Sequence, residues 1–132
     1  MDIGKFTYTE RRFEILSPDE AKDPTGIFIT IMSPDDPRLK TTRAAISDKA
    51  GALQARGKTF KTDEIHRNRH LLLFKAITKW EWTGTAQIDG EKPELTEKNF
   101  RALAERFPWF VDQIDEEFSK ADSFFQVTEP TD

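Results

Sequence analysis

The chain has 132 residues, 36% hydrophobic and 33% charged, with eleven Phe, three Trp and no Cys. One domain of common size fits that length, and the absent cysteines exclude thiolate chemistry and a secreted disulfide scaffold. The net charge of −4 conceals a split, net −4 over residues 1–36, +8 over 37–80 and −8 over 81–132, so the segments either pair within one folded unit or attract other copies or a partner.

Residues 1–4 and 126–132 read as frayed, leaving an ordered core of about 5–125 within a single domain, 1–132. Phe13 and Ile15 alternate with polar neighbours, and Ile27, Ile29 and Ile31 alternate with Phe28, Thr30 and Met32. Both runs predict strands, near 12–16 and 27–32, joined as an antiparallel hairpin across the loop chemistry of Ser17–Gly26. Phe6 and Tyr8 suggest a weaker third strand. A lone two-stranded hairpin is not stable, so one face must pack on helices.

Ser33-Pro34-Asp35-Asp36-Pro37 ends the second strand and opens a helix over 37–56, with Ser33 or Asp36 as N-cap and Gly57 after its end. Its apolar stripe, Leu39, Ile46, Ala50 and Leu53, is narrow, and Gly51 inside it costs about 1 kcal/mol against Ala. Thr62-Asp63-Glu64 caps a second helix predicted over 63–82. Leu71-Leu72-Leu73-Phe74 go almost right round its cylinder, which marks it as the central helix. Asp89-Gly90 and Pro93 make a loop. Thr96 caps a third helix, 97–107, carrying Phe100, Leu103 and Phe107. Pro108 opens a fourth, 108–124, whose apolar positions are Val111, Ile114 and Phe118, continuing at Phe125. The expected fold is therefore mainly α within an α+β class: four or so helices round a central apolar helix, with a small N-terminal antiparallel hairpin.

The search for chemistry is negative. His66 and His70 stand at i and i+4, a metal-pair spacing. The residue after His66 is Arg67, not the Glu of a zinc-protease motif, and no third ligand is evident. The six glycines form no phosphate loop, and no serine sits in a nucleophile elbow. Asp35-Asp36 reads as capping and Glu116-Glu117 as a solvated face. No catalytic residue, cofactor or metal is assigned, and the chain is not expected to be an enzyme. A basic helical pair over 37–80 could lie on phosphates. The pI near 5.3, the flanking acidic segments and the core periodicity of the aromatics weigh against nucleic acid. No apolar run is long enough for a bilayer, and Met1–Lys5 lacks the apolar stretch of a signal peptide, so a cytoplasmic location is expected. Trp80 and Trp82, two apart on a helix, cannot share one face. One of them is expected at an edge or surface, and a surface Trp marks a binding spot.

One ordered set of motifs points further. Gly26-Ile27-Phe28-Ile29-Thr30-Ile31, Ser33-Pro34-Asp35-Asp36-Pro37 and Arg43 come first. Trp80-Glu81-Trp82, Leu95-Thr96-Glu97-Lys98-Asn99-Phe100, Phe107-Pro108-Trp109 and Gln113-Ile114 follow. In order and spacing, over roughly residues 12–125, this resembles the tail assembly chaperones of long-tailed, non-contractile bacteriophages. The resemblance implies a non-catalytic protein of the host cytoplasm during assembly, absent from the mature virion. Such a protein would bind the tape measure protein and keep it soluble while tail tube subunits assemble around it. It further implies that tube subunits are met chiefly through an extended frameshift product, of which this chain would be the short form. Self-association through the charge split is also expected. The alternatives are a structural or connector protein kept in the virion, and a nucleic-acid-binding regulator. The partner-binding residues expected on physical grounds are Arg38, Arg43, Trp82 and Trp109.

Overall fold

The computed structural model describes residues 1–120 and 124–127. In chain order these form a 3-10 turn (Ile3–Lys5), β1 (Phe6–Tyr8), β2 (Arg11–Leu16), β3 (Pro24–Ile31) and a 3-10 turn (Pro37–Leu39). Then come α1 (Lys40–Gln54), α2 (Thr62–Ala76), β4 (Ile77–Trp82), α3 (Glu97–Arg106), α4 (Pro108–Phe118) and β5 (Phe125–Val127). The fold is α+β.

The helix expected over 63–82 stops at Ala76, and its last six residues are a strand. β2, β3 and β4 make an antiparallel sheet in that order. The physical reason lies in the period. Ile77 and Thr78 are β-branched, and Trp80-Glu81-Trp82 alternates apolar with charged. On a strand, residues two apart share a face. Ile29 pairs with Trp80 and Ile27 with Trp82, while Phe28 pairs with Glu81 and Thr30 with Lys79. The inner face is thus apolar and the outer face charged, with Arg12 set 3.9 Å over the Phe28 ring.

The two N-terminal strands are therefore part of a three-stranded sheet rather than a small separate hairpin. Gly26 fits where β3 begins. Its φ of +79° suits glycine, and a Cβ there would stand 2.9 Å from the Thr83 carbonyl oxygen. The Thr83 amide donates to the Gly26 carbonyl at 2.8 Å, which closes the open end of the β3–β4 pair.

The expectation of one central apolar helix also fails. In α2 only Leu72, Leu73 and Ala76 are buried, and Ile65 is 53% exposed. Losing residues 77–82 to the sheet takes the apolar end of the helix with them. The core lies instead between the inner sheet face and three helices. Ile15, Ile27, Ile29 and Ile31 meet Leu72 and Leu73 of α2, Phe100 and Leu103 of α3, and Phe110, Val111, Ile114 and Phe118 of α4. The i, i+3, i+7 spacings of α3 and α4 do face that core. Thr96 caps α3 by accepting from the Asn99 amide at 3.1 Å, and Pro108 is the first residue of α4.

Other expectations need correction at the edges. Phe6 and Tyr8 do not extend the main sheet: β1 pairs with β5 in a separate two-stranded ribbon, Tyr8 opposite Phe125. The fourth helix ends at Phe118 and not at 124, so Phe125 belongs to a strand. Residues 126 and 127, expected to fray, are in that strand, and 128–132 lie outside the described residues. Residues 37–39 are a 3-10 turn capped by Asp36, whose Oδ1 accepts from the Arg38 amide at 2.9 Å. α1 follows with no fully buried residue; Thr42, Ile46, Ala50 and Leu53 are half-buried.

α4 is tied to the sheet by polar contacts as well as by its apolar face. The Leu16 amide donates to Gln113 Oε1, and Gln113 Nε2 donates to the Leu16 carbonyl, both at 2.9 Å. Arg11 reaches Glu117 at 2.8 Å. Gln113→Met should therefore destabilise the fold by about 1–3 kcal/mol, the cost of leaving shielded backbone groups unpaired. Urea unfolding checks this against Gln54→Ala on the exposed end of α1, for which a change within about 0.5 kcal/mol is expected.

Candidate partner-binding surface

Arg38 and Arg43 hold the segment that joins the sheet to α1. Arg38 Nη2 donates to Asp36 Oδ2 at 2.9 Å and to Glu10 Oε1 at 3.1 Å, so it links the turn to the start of β2. These two carboxylates raise the Arg38 pKa, and Arg38 in return holds Asp36 below the usual carboxylate range. Arg43 donates to the Pro34 carbonyl. Both arginines have exposed side chains, but their guanidinium groups are engaged within the chain.

Trp82 and Trp109 meet through Phe110. Trp82 stacks on Phe110 with ring centroids 5.9 Å apart, and Trp109 contacts the same ring edge-on at 5.9 Å. Trp80 packs edge-on against Trp82 at 5.9 Å, and Phe107 against Trp109 at 6.2 Å. All three tryptophans are half-buried against the core, Trp80 and Trp82 among them, although two residues apart on a helix could not share one face. The strand geometry of β4 resolves that conflict by turning Trp80 and Trp82 the same way. The Trp82 indole N–H is shielded from solvent and donates to no acceptor among the described residues. The structure thus places the arginine pair and the tryptophan pair in two separate local networks.

One surface went unread in the sequence, and a second was read only as a basic segment over 37–80. The ribbon carries Phe6 (39% exposed), Tyr8 (46%) and Phe125 (42%) together, with Tyr8 and Phe125 rings 5.1 Å apart. The alternation Phe6-Thr7-Tyr8 was the available signal. The second is cationic. Of the basic residues in 37–80, Arg38, Arg67, Arg69 and Lys79 have acidic partners. Lys40, Arg43, Lys49, Arg56, Lys58, Lys61 and Lys75 have no ion pair among the described residues; all but Lys75, on α2, lie on α1 or the segment that joins it to α2. Among the described residues, the sole direct ion pair from the 37–80 segment into the helices of the acidic segment is Arg69 with Asp115.

Among the described residues no cluster of three or more His, Asp or Glu side chains is placed to hold a metal ion. One cleft lies between the turn at 88–94 and α3. Its rim carries Asp89 and Arg106, which pair at 2.9 Å, with Arg106 holding the Asp89 carboxyl below its usual range. No helix of the described residues is long and apolar enough to cross a membrane. Compared with protein-family models, curated proteins and solved structures, the chain matches none.

His70 has a displaced pKa. Burial lowers it from its ordinary 6.5, the neighbouring His66 lowers it further, and Asp112 and Asp115 pull it partly back. The unfolded chain therefore takes up this proton first. Stability from neutral His70 is present above pH 6.5 and is lost as pH falls through the lower folded value. Unfolding free energies at about pH 7.5 and pH 5 should show a loss on acidification that shrinks in His70→Gln. Asp36 acts only in a more acidic window, below its ordinary 3.8.

Proposed function

We propose that this protein is a tail assembly chaperone of a long-tailed bacteriophage, binding the tape measure protein and keeping it soluble. One observation carries the reading: the ordered motif set from Gly26 to Ile114, which resembles that family over most of the chain. Several features support it. Three of those motifs, Gly26–Ile31, Trp80-Glu81-Trp82 and Phe107-Pro108-Trp109, meet at the inner sheet face and its aromatic cluster. They would then be the fold's framework, and the binding surfaces would lie outside them. The exposed aromatic ribbon and the cations of α1 offer a partner both apolar area and charge.

A tape measure protein is long, helical and apolar along one side. Helix-in-groove contacts of micromolar strength, repeated by many copies along one chain, supply avidity that no single contact needs to provide. The charge split further suggests weak contacts between neighbouring copies. Tail tube subunits would be met chiefly through an extended product.

Co-expression with the long reading frame encoded beside it is the test. The tape measure protein should be soluble and co-purify with this chain, and should aggregate without it. A tape measure protein that is equally soluble alone contradicts the proposal. Recovery of this chain at full stoichiometry in finished virions contradicts it too, and would favour a structural or connector role.

A further inference from the structure

We infer that the cleft where α1, α2 and α3 meet receives an acidic helix of the partner that inserts an apolar side chain; as a docking site for that partner, the inference rests on the function proposed above. The cleft is floored by Phe60 and Leu71, both half-buried, with Asn68 beside them. Its rim carries three cations, Lys49 of α1, Arg67 of α2 and Arg101 of α3, against one carboxylate, Glu64. The Glu64 carboxylate already accepts from the Lys61 amide at 3.5 Å, as part of the start of α2.

The cations are available. Lys49 has no ion pair among the described residues. Among the described residues, Arg67 and Arg101 each form an ion pair only with the residue one helical turn back, Asp63 at 3.2 Å and Glu97 at 2.7 Å, with all four side chains substantially exposed. Exposed i, i+4 pairs contribute little, so a partner carboxylate can replace them at small cost. Arg56, Lys58 and Lys61, just outside the cleft, extend the positive field without acidic partners among the described residues. Charge complementarity therefore selects an acidic ligand, and the half-exposed Phe60 and Leu71 select an apolar anchor.

The form of the ligand follows from the walls. Three helices frame the cleft, and one of them, α1, has no fully buried residue of its own. A wall of that kind can shift to admit a helix. Nucleic acid is less well matched. Glu64 stands among the cations of the cleft, where it would face a phosphate backbone, whereas the spaced carboxylates of a helix can be set between the cations.

A fluorescein-labelled peptide of ~18 residues, long enough to form a marginal helix, with leucines at i, i+3, i+4 and i+7 and glutamates elsewhere, is the probe. Two competitors accompany it: the same peptide with lysines for glutamates, and a short duplex DNA. Anisotropy with the full chain at low salt should show binding of the acidic peptide in the micromolar range and none of the basic one. Lys49→Glu with Arg101→Glu should weaken the acidic peptide by about tenfold or more, equal to about 1.4 kcal/mol. Phe60→Ser, which leaves charge unchanged, should weaken it too. Lys22→Glu, outside the cleft, should not. Circular dichroism confirms that each variant is folded; if the double variant is not, Arg101→Gln and Phe60→Ser carry the comparison. Equal binding of both peptides, unchanged binding by the cleft variants, or DNA binding in place of the acidic peptide would overturn the inference. The probe carries no tape measure sequence. Its failure therefore leaves the co-expression result standing, and failed co-expression with intact peptide binding would remove only the phage reading.

Discussion

Strand β2 lies at the edge of its sheet, and its last residue finds a backbone partner in a side chain. Gln113 presents an amide to the Leu16 amide and carbonyl as a neighbouring strand would, with donor and acceptor both at 2.9 Å. That contact fixes the height and rotation of α4 over the sheet. Once it is set, Phe110, Val111, Ile114 and Phe118 fall on the inner sheet face, and Phe110 reaches the Trp82 ring. It also closes a stretch of sheet edge that would otherwise be free to pair with another chain. α3, joined to α4 through Phe107 alone, follows it into place.

α1 stands outside this arrangement. Its contact with the body is a half-buried stripe, and a helix of its length is marginal in water without tertiary support. Leu39, fully buried in the preceding 3-10 turn, anchors one end, and Arg38 and Arg43 pin the same turn. At the other end Gly57, with φ of +68°, ends the helix, the Lys58 amide returning to the Leu53 carbonyl. Lys40, Arg43, Lys49, Arg56, Lys58 and Lys61, with no ion pair among the described residues, lie on this least-packed element or just after it, where the structure can most easily adjust to a partner.

Much of the fold was legible because periodicity and capping agreed. Asp36, Thr96, Pro108 and Gly57 act at the helix ends where their chemistry puts them, and the isoleucines of β3 face inward on alternate positions. The error at 77–82 arose where two periods meet without punctuation. Leu71 to Phe74 read as helix whatever follows, and no Gly or Pro separates them from Ile77. The Trp80-Glu81-Trp82 alternation was the competing signal, and the tertiary demand for a third strand decided it. Asp89-Gly90 was read as a loop, and its two positive φ values make it a tight hairpin turn between Ile88 and Glu91. The surfaces were far less legible. Arg38 and Trp82 were singled out by residue type, yet their engagement depends on Glu10 and Phe110, distant in sequence. The α1–α2–α3 cleft depends on which cations find acids, and only the assembled fold fixes that.

The account rests on a division between a sheet–α4 core and a loosely held α1, and native-state hydrogen exchange tests it most directly. The amides of β3 and α4 should exchange only through global unfolding, with the full stability of the domain. Those of α1 should exchange through local opening, at a free energy several kcal/mol lower and with little dependence on denaturant. Protection of α1 equal to that of β3 and α4, with the same denaturant dependence, would contradict the division and the availability of that helix for a partner.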